Sequence, residues 1–168
     1  MLPSIKLMTR RTALMLVLFT LIALPSFPQS GFAQSDPFLG IWQLNLAKSD
    51  YPRPPPKSQT MYIWEDEAKK RQNSQVTIGA DGVPAAVVFT HTYDDTPRPT
   101  PGARGYDASA YARPDARTIN ARYLNAGTLI GTAAWTVSPD GKTLTMAVAN
   151  IAADGQRTNE VRIYDKQQ

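Results

Sequence analysis

Apolar and polar residues alternate along the last third of the chain, which is the pattern of strands with one buried face. Between Thr128 and Asp165, three such runs are separated by Asp140-Gly141 and Asp154-Gly155. Aspartate-glycine between alternating hydrophobic runs indicates a hairpin, because glycine accepts the positive φ that tight turns need. The segment therefore predicts three consecutive antiparallel strands. The positions expected to face the core are Leu129, Ala133, Trp135, Val137, Leu144, Met146, Val148, Val161 and Ile163.

The same alternation predicts six further strands upstream, and no segment after residue 33 shows the 3.6-residue apolar period of an amphipathic helix. Nine strands joined mostly by short turns favour an all-β, antiparallel up-and-down barrel, because closure removes exposed strand edges. A β-sandwich is the alternative. The first upstream strand is placed within residues 40–49, entered through Gly40 and indicated by Ile41, Trp42 and Leu44. The others are placed at Gln59–Glu65, Gln75–Ile78, Ala85–Tyr93, Tyr106–Arg113 and Thr118–Leu124.

Two proline-rich stretches interrupt the strands, at residues 49–59 and at residues 94–103. Proline lacks an amide hydrogen and fixes φ, so neither stretch is expected to join a ladder of hydrogen bonds. The first is interpreted as a stiff strap over an open end of the barrel and the second as a stiff loop. The alternative is a surface that docks a partner protein able to read polyproline helices.

The first 33 residues differ from the rest of the chain. A basic start with Lys6, Arg10 and Arg11 precedes an apolar run, and small residues flank Phe32. This is the pattern of a cleavable signal peptide that ends at Ala33, and an uncleaved anchor is the alternative. The prediction is a signal helix over residues 1–33, a single barrel domain over residues 34–168, and a periplasmic or secreted protein. The export route stays open.

Removal of residues 1–33 changes the electrostatic picture. Three of the 18 lysines and arginines lie there and none of the 14 acidic residues, which leaves 15 basic against 14 acidic residues. A net charge of about +1 provides no basic stripe for a polyanion. We therefore expect no nucleic-acid partner and no stable membrane insertion after cleavage.

Few residues are suited to covalent or metal chemistry. The chain has no cysteine, and its one histidine, His91, has no second ligand at a metal-binding spacing. No G-x-S-x-G elbow is present, so a hydrolase would need His91 together with Asp94 or Asp95. The prediction is a protein without cofactor, metal or catalytic residues, and a hydrolase is the less favoured alternative.

Motifs lie at both ends of the barrel region and comprise Gly40, Trp42, Leu44, Asn45, Ala47, Lys48, Ser49, Pro54 to Pro56, Ser138, Asp140, Gly141, Lys142, Leu144, Thr145, Gly155, Tyr164, Asp165, Lys166 and Gln167. They resemble those of a group of small, uncharacterised, exported bacterial proteins with lipocalin-like, calycin-type barrels. The resemblance implies a calycin-type barrel, binding of a small apolar molecule and no reaction. In lipocalins a basic side chain of the last strand covers the tryptophan of the G-x-W motif, and Arg162 is the nearest candidate, although its predicted phase points outward.

Small residues recur where the inner face is predicted: Ala108, Ala110, Ala112, Ala121, Gly131 and Ala133. A barrel of this size either fills its interior with opposing large side chains, such as Trp42, Trp64, Tyr106 and Met146, or encloses a cavity.

A cavity would be lined by Phe89, His91, Tyr93, Tyr123 and Trp135, with His91 and the tyrosine hydroxyls orienting the ligand. The predicted function is non-covalent binding of a small apolar ligand. The alternative is a structural or protein-interaction role in the cell envelope through the proline-rich loops. The sequence leaves the ligand and the oligomeric state open.

Overall fold

The computed structural model describes residues 36–51, 54–68, 70–152 and 154–168. The predicted signal segment, residues 1–33, lies outside them. The described residues form ten strands and one 3₁₀ helix, Leu46–Lys48, and none of their helices is long and apolar enough to cross a membrane. The strands are β1 (Gly40–Leu44), β2 (Ser58–Glu65), β3 (Arg71–Ile78), β4 (Pro84–His91), β5 (Arg98–Pro99), β6 (Ala108–Asp115), β7 (Thr118–Asn125), β8 (Thr128–Val137), β9 (Thr143–Ile151) and β10 (Arg157–Lys166).

The strands form one antiparallel sheet in the order β4-β3-β2-β1-β10-β9-β8-β7-β6-β5. Chain neighbours pair with each other, and β1 pairs with β10 to join the first strands to the last. Although β4 and β6 lie near opposite edges of this order, Phe89 stacks on Tyr111 with ring centroids 5.6 Å apart. The sheet therefore curls into a barrel, and the predicted up-and-down fold is confirmed.

Several strand bounds differ from the prediction; β4, for example, ends at His91 and not at Tyr93. Strand β3 begins four residues earlier than predicted, at Arg71, and β6 continues through Pro114 to Asp115, so the turn is Ala116-Arg117. The second proline-rich stretch contains β5, in which Arg98 pairs with Ser109 and Pro99 with Ala108. Proline is tolerated there because an edge strand has only one neighbour to bond.

Strand β10 has the opposite phase to the prediction. Glu160, Arg162 and Tyr164 face the interior, whereas Val161 is 36% exposed. The pairing with β9 fixes this phase, because Arg162 lies opposite the buried Met146 and Tyr164 opposite the buried Leu144. The prediction assumed that the apolar residues of the strand face inward, and a charged pair occupies that face instead.

Strand β6 also differs in phase. Tyr111 faces the interior opposite Ala121, which puts Ala108, Ala110 and Ala112 on the other face. Ala110 is nevertheless buried, because the proline-rich loop runs along β6 and Arg122 reaches across to Asp95, with Nε to Oδ1 at 3.0 Å.

Two large residues predicted to point inward are exposed instead. Leu129 is 39% exposed, because a bulge after Tyr123 shifts the register between β7 and β8. Trp64 is 42% exposed, on the outer face of β2. The inward positions Ala121, Gly131 and Ala133 are as predicted.

One end of the barrel is closed around Trp42. The indole Nε1 donates a hydrogen bond to the carbonyl of the buried Phe38 at 2.8 Å, and the Lys166 ammonium lies 5.0 Å from the ring centroid. The basic side chain over the tryptophan is therefore Lys166 and not Arg162. Gly40 is required here, because its φ is +132° and an added Cβ would lie 2.7 Å from Lys166 Cε.

A stabilising substitution follows from the turn between β7 and β8. Ala126 has a φ of +47° and precedes Gly127 at +79°. A left-handed alanine is strained, whereas Asn-Gly suits this turn, so Ala126→Asn is expected to raise the free energy of unfolding by about 0.5–1 kcal/mol. Urea denaturation checks it against Ala116→Asn, where φ is not positive and no gain is expected. Equal effects of both substitutions would contradict the strain argument.

Candidate ligand-binding cavity

An interior cavity of about 670 Å³ occupies the barrel, within the size range of small-molecule sites. The interior is therefore hollow, which the sequence left open. Its apolar wall includes Val87, Phe89, Trp135, Met146 and Val148. Polar side chains in the lining include Gln59, Gln75, Thr77, Asn150 and Arg162.

Small residues on the inner face lie in the cavity wall and in the core next to it. Ala121 and Ala133 are buried next to each other on β7 and β8, and Ala85 lies in the cavity wall on β4. A Cβ on Gly131 would lie 3.1 Å from the Ala149 carbonyl oxygen and 3.6 Å from the Tyr123 ring. A larger side chain at Ala85 would reduce the cavity, whereas larger side chains at Ala121 and Ala133, which pack in the core outside the lining, would displace the wall.

Exposed loop residues form the mouth of the cavity, at the end opposite Trp42. Pro54 and Pro56 of the first proline-rich stretch line it, together with residues 79–80, Val83 and residues 102–106. The described part of the stretch interpreted as a strap thus contributes Pro54 and Pro56 to the open end of the barrel.

The five residues predicted to bind ligand fall into two groups. Phe89, Tyr123 and Trp135 line the cavity. His91 and Tyr93 are absent from the lining and lie behind it, toward the closed end, where Arg71 contacts the Tyr93 hydroxyl at 3.2 Å. The structure therefore brings three of the five side chains to the cavity.

His91 lies in a cluster of aromatic rings. Its ring centroid is 5.0 Å from Phe89, 4.4 Å from Tyr111 and 5.6 Å from Trp135. Neither imidazole nitrogen has a hydrogen-bond partner among the described residues. Burial, with the nearby Arg71 and Arg113 charges, lowers the pKa of His91 to about 3. His91 is therefore a neutral packing residue at physiological pH.

The two carboxylates considered as partners of His91 are held elsewhere. Asp94 accepts two hydrogen bonds of 2.7 Å from Arg98, and Asp95 accepts one from Arg122. The geometry does not assemble a Ser-His-Asp arrangement around His91. No group of three or more metal-ligating His, Cys, Asp or Glu residues occurs in the described parts of the chain.

The most polar part of the cavity wall comes from β10, which the sequence interpretation missed. Arg162 lines the cavity and donates from Nη2 to Oε1 of Glu160, two residues before it on the same inner face. Its guanidinium lies 6.0 Å from the Tyr51 ring centroid. Burial by itself lowers the pKa of Arg162. Electrostatic interactions with Tyr164 and Glu160 raise the pKa by more than burial lowers it, so the net shift is upward and the guanidinium stays charged.

Tyrosine hydroxyls surround this pair without adding charge. Tyr164 donates to Gln59 Oε1. Burial raises the pKa of Tyr123, of Tyr164 and of Tyr106 above the ordinary value, so all three remain protonated. The i, i+2 spacing of Glu160 and Arg162 within a strand was the available sequence signal, because residues two apart share a face.

Comparison with known proteins identifies the fold. No protein-family model matches the sequence, and neither does any curated protein. An alanine variant of the fluorescent protein UnaG is similar in structure, with a TM-score of 0.52 at 15% identity over 79% of this chain and 97% of that one. Zebrafish ileal bile acid-binding protein complexed with cholic acid has a TM-score of 0.49 at 11% identity, over 78% of this chain and 99% of that one. The similarity to the UnaG variant supports the antiparallel up-and-down barrel fold.

Proposed function

We propose that this protein binds one small, mainly apolar molecule non-covalently inside its barrel. The observation that carries the proposal is the hollow interior of about 670 Å³ with its mouth among exposed loop residues. Phe89, Tyr123 and Trp135 supply aromatic surface for contact with the ligand.

Burial of apolar surface supplies the driving force for binding. At about 25 cal/mol per Å² of apolar surface removed from water, a ligand that buries roughly 250 Å² gains about 6 kcal/mol before the entropic costs of association. The polar groups near Arg162 then fix its orientation, because a few polar side chains in an apolar cavity provide specificity.

We further propose that the protein binds its ligand without reaction and acts outside the cytoplasm. Support for the first point is that His91 is buried, neutral and not bonded to Asp94 or Asp95. Support for the second is the composition of residues 1–33 and the resemblance to exported bacterial barrel proteins.

Two neighbouring valines on β4 provide a matched test. Val87 lines the cavity, whereas Val88 points outward and is 57% exposed. Val87→Trp places an indole in the cavity and is expected to weaken binding of the neutral dye Nile red at least about tenfold, or about 1.4 kcal/mol. Val88→Trp is expected to leave the affinity unchanged. Fluorescence titration of the purified proteins measures both.

Two results would overturn the proposal. One is absence of saturable Nile red binding to the native protein, together with recovery of no molecule after incubation with a lipophilic extract and mass spectrometry. The other is equal loss of affinity in both tryptophan variants, which would place the dye outside the barrel.

A further inference from the structure

The charged pair on β10 lies in an unusual place for a binding cavity. The Glu160 side chain has no solvent exposure, and Arg162 is mostly buried while lining the cavity. The two side chains share the inner face and are joined by a hydrogen bond. The guanidinium that faces the ligand space therefore already has its counter-charge.

The surroundings of this pair add no further charge. The nearby tyrosines keep their protons, since burial raises the pKa of Tyr123 and of Tyr164. His91 is neutral as well. Two other arginines with mostly buried side chains, Arg71 and Arg113, are both paired with Asp36, and Arg71 also with Glu65.

A ligand carboxylate placed against Arg162 would leave one negative charge in excess in this buried region. An unpaired buried charge is costly, because the interior replaces few of the interactions that water provides. A neutral oxygen carries no such cost. It can accept a hydrogen bond from the guanidinium of Arg162, which lines the cavity and keeps 21% of its side-chain surface exposed.

We propose that the ligand presents a neutral hydrogen-bond acceptor, such as an ester or ketone oxygen, to Arg162, and that Glu160 makes the cavity discriminate against a carboxylate of the same shape. This inference rests on the proposed function, and it names the chemical class of the ligand. Arg104 at the mouth does not change it, because an exposed cation contributes little to holding an anion.

The experiment compares cis-parinaric acid with its methyl ester, which share one fluorescent apolar chain and differ in headgroup charge. The native protein at neutral pH and about 0.15 M salt is expected to bind the ester at least about tenfold more tightly than the acid. Glu160→Gln leaves Arg162 without its counter-charge, so the affinity for the acid is expected to rise about tenfold or more while that for the ester changes little.

The double variant Glu160→Gln with Arg162→Gln is the charge-free control and is expected to prefer the ester again. Circular dichroism shows whether the single variant Glu160→Gln folds. If it does not, the inference is tested with the native protein and the double variant alone. Tighter binding of the acid than of the ester by either of these two proteins overturns the inference. An unchanged acid-to-ester ratio in folded Glu160→Gln also overturns it. Absence of binding of both probes to the native protein instead overturns the proposed function on which the inference rests.

Discussion

Replacement of Trp42 by alanine is expected to lower the free energy of unfolding by about 3–5 kcal/mol. The indole is fully buried in the closed end of the barrel, between β2 and the last strand. The substitution removes its packing, its hydrogen bond to the Phe38 carbonyl and the ring under Lys166. The space that the missing indole leaves cannot collapse fully, because strand pairing on both sides of β1 fixes the backbone.

Trp64→Ala is the matched control, because Trp64 is on the neighbouring strand with its side chain outward. Its effect is expected to stay within about 0.5 kcal/mol, as for an ordinary surface substitution. Chemical denaturation followed by circular dichroism measures both variants. Similar losses at the two positions would show that the closed end is not the centre of stability that its burial indicates.

The second large effect is expected at Asp36, which binds side chains of β3 and β6. Its carboxylate accepts hydrogen bonds from Arg71 and Arg113. Asp36→Asn removes the negative charge while Arg71 stays buried with only Glu65 beside it at 3.3 Å. We expect a loss of about 3 kcal/mol at neutral pH, because removal of one partner leaves a buried charge only partly compensated.

The interaction of Asp36 with Arg71 and Arg113 also predicts that the free energy of unfolding depends on pH. Burial raises the pKa of Asp36, but the hydrogen bonds from Arg113 and Arg71 outweigh it, and the pKa in the folded protein lies below the ordinary value near 3.8. The contribution of Asp36 is thus fully present above that value and is lost as the pH falls through the folded pKa. The stability difference between native protein and Asp36→Asn should shrink below about pH 4.

His91 contributes a further pH dependence, between its ordinary pKa of 6.5 and its folded pKa of about 3. Its folded pKa is lowered to about 3, so the unfolded chain takes up a proton below the ordinary value of 6.5 before the folded protein does. Proton uptake by His91 in the unfolded chain lowers the stability of the native protein and of Asp36→Asn alike, so it cancels in the stability difference between them.

Asp94→Asn is the control for Asp36, because Asp94 also binds an arginine through two hydrogen bonds but lies on the surface. Its effect should be much smaller, since solvent screens an exposed ion pair. Urea denaturation from pH 3 to 7 distinguishes the two. If the stability difference between the native protein and Asp36→Asn stays constant across this pH range, the loss of stability does not come from the charge of Asp36.

Local features could be predicted from the sequence where a residue type favours one particular backbone conformation or position. Gly141 and Gly155 have positive φ between strands, as the Asp-Gly signals predicted. Trp42 lies at a closed barrel end and is covered from the last strand, as the resemblance to lipocalins implied. The covering residue was misassigned to Arg162, because two basic residues of one strand cannot be ranked without knowing where that strand meets Trp42.

The candidate site was predictable only in part. Phe89, Tyr123 and Trp135 were found because large aromatic residues at inward positions must face either a core or a cavity. Glu160 and Arg162 were missed because charge alone indicates solvent exposure, and only pairing with each other makes their burial acceptable. His91 was expected to orient the ligand because it is polar, but aromatic rings surround it instead.

Alternation, turn residues and the absence of helical periodicity determined by themselves that this chain forms an antiparallel up-and-down sheet, because these are local properties of the backbone and its side chains. The tertiary structure alone decided the phase of β6 and β10, the Glu160–Arg162 pair and the hollow interior. These features depend on how far the sheet curls and which side chains meet across the barrel. Contacts between distant strands set that geometry, and no short stretch of sequence encodes it.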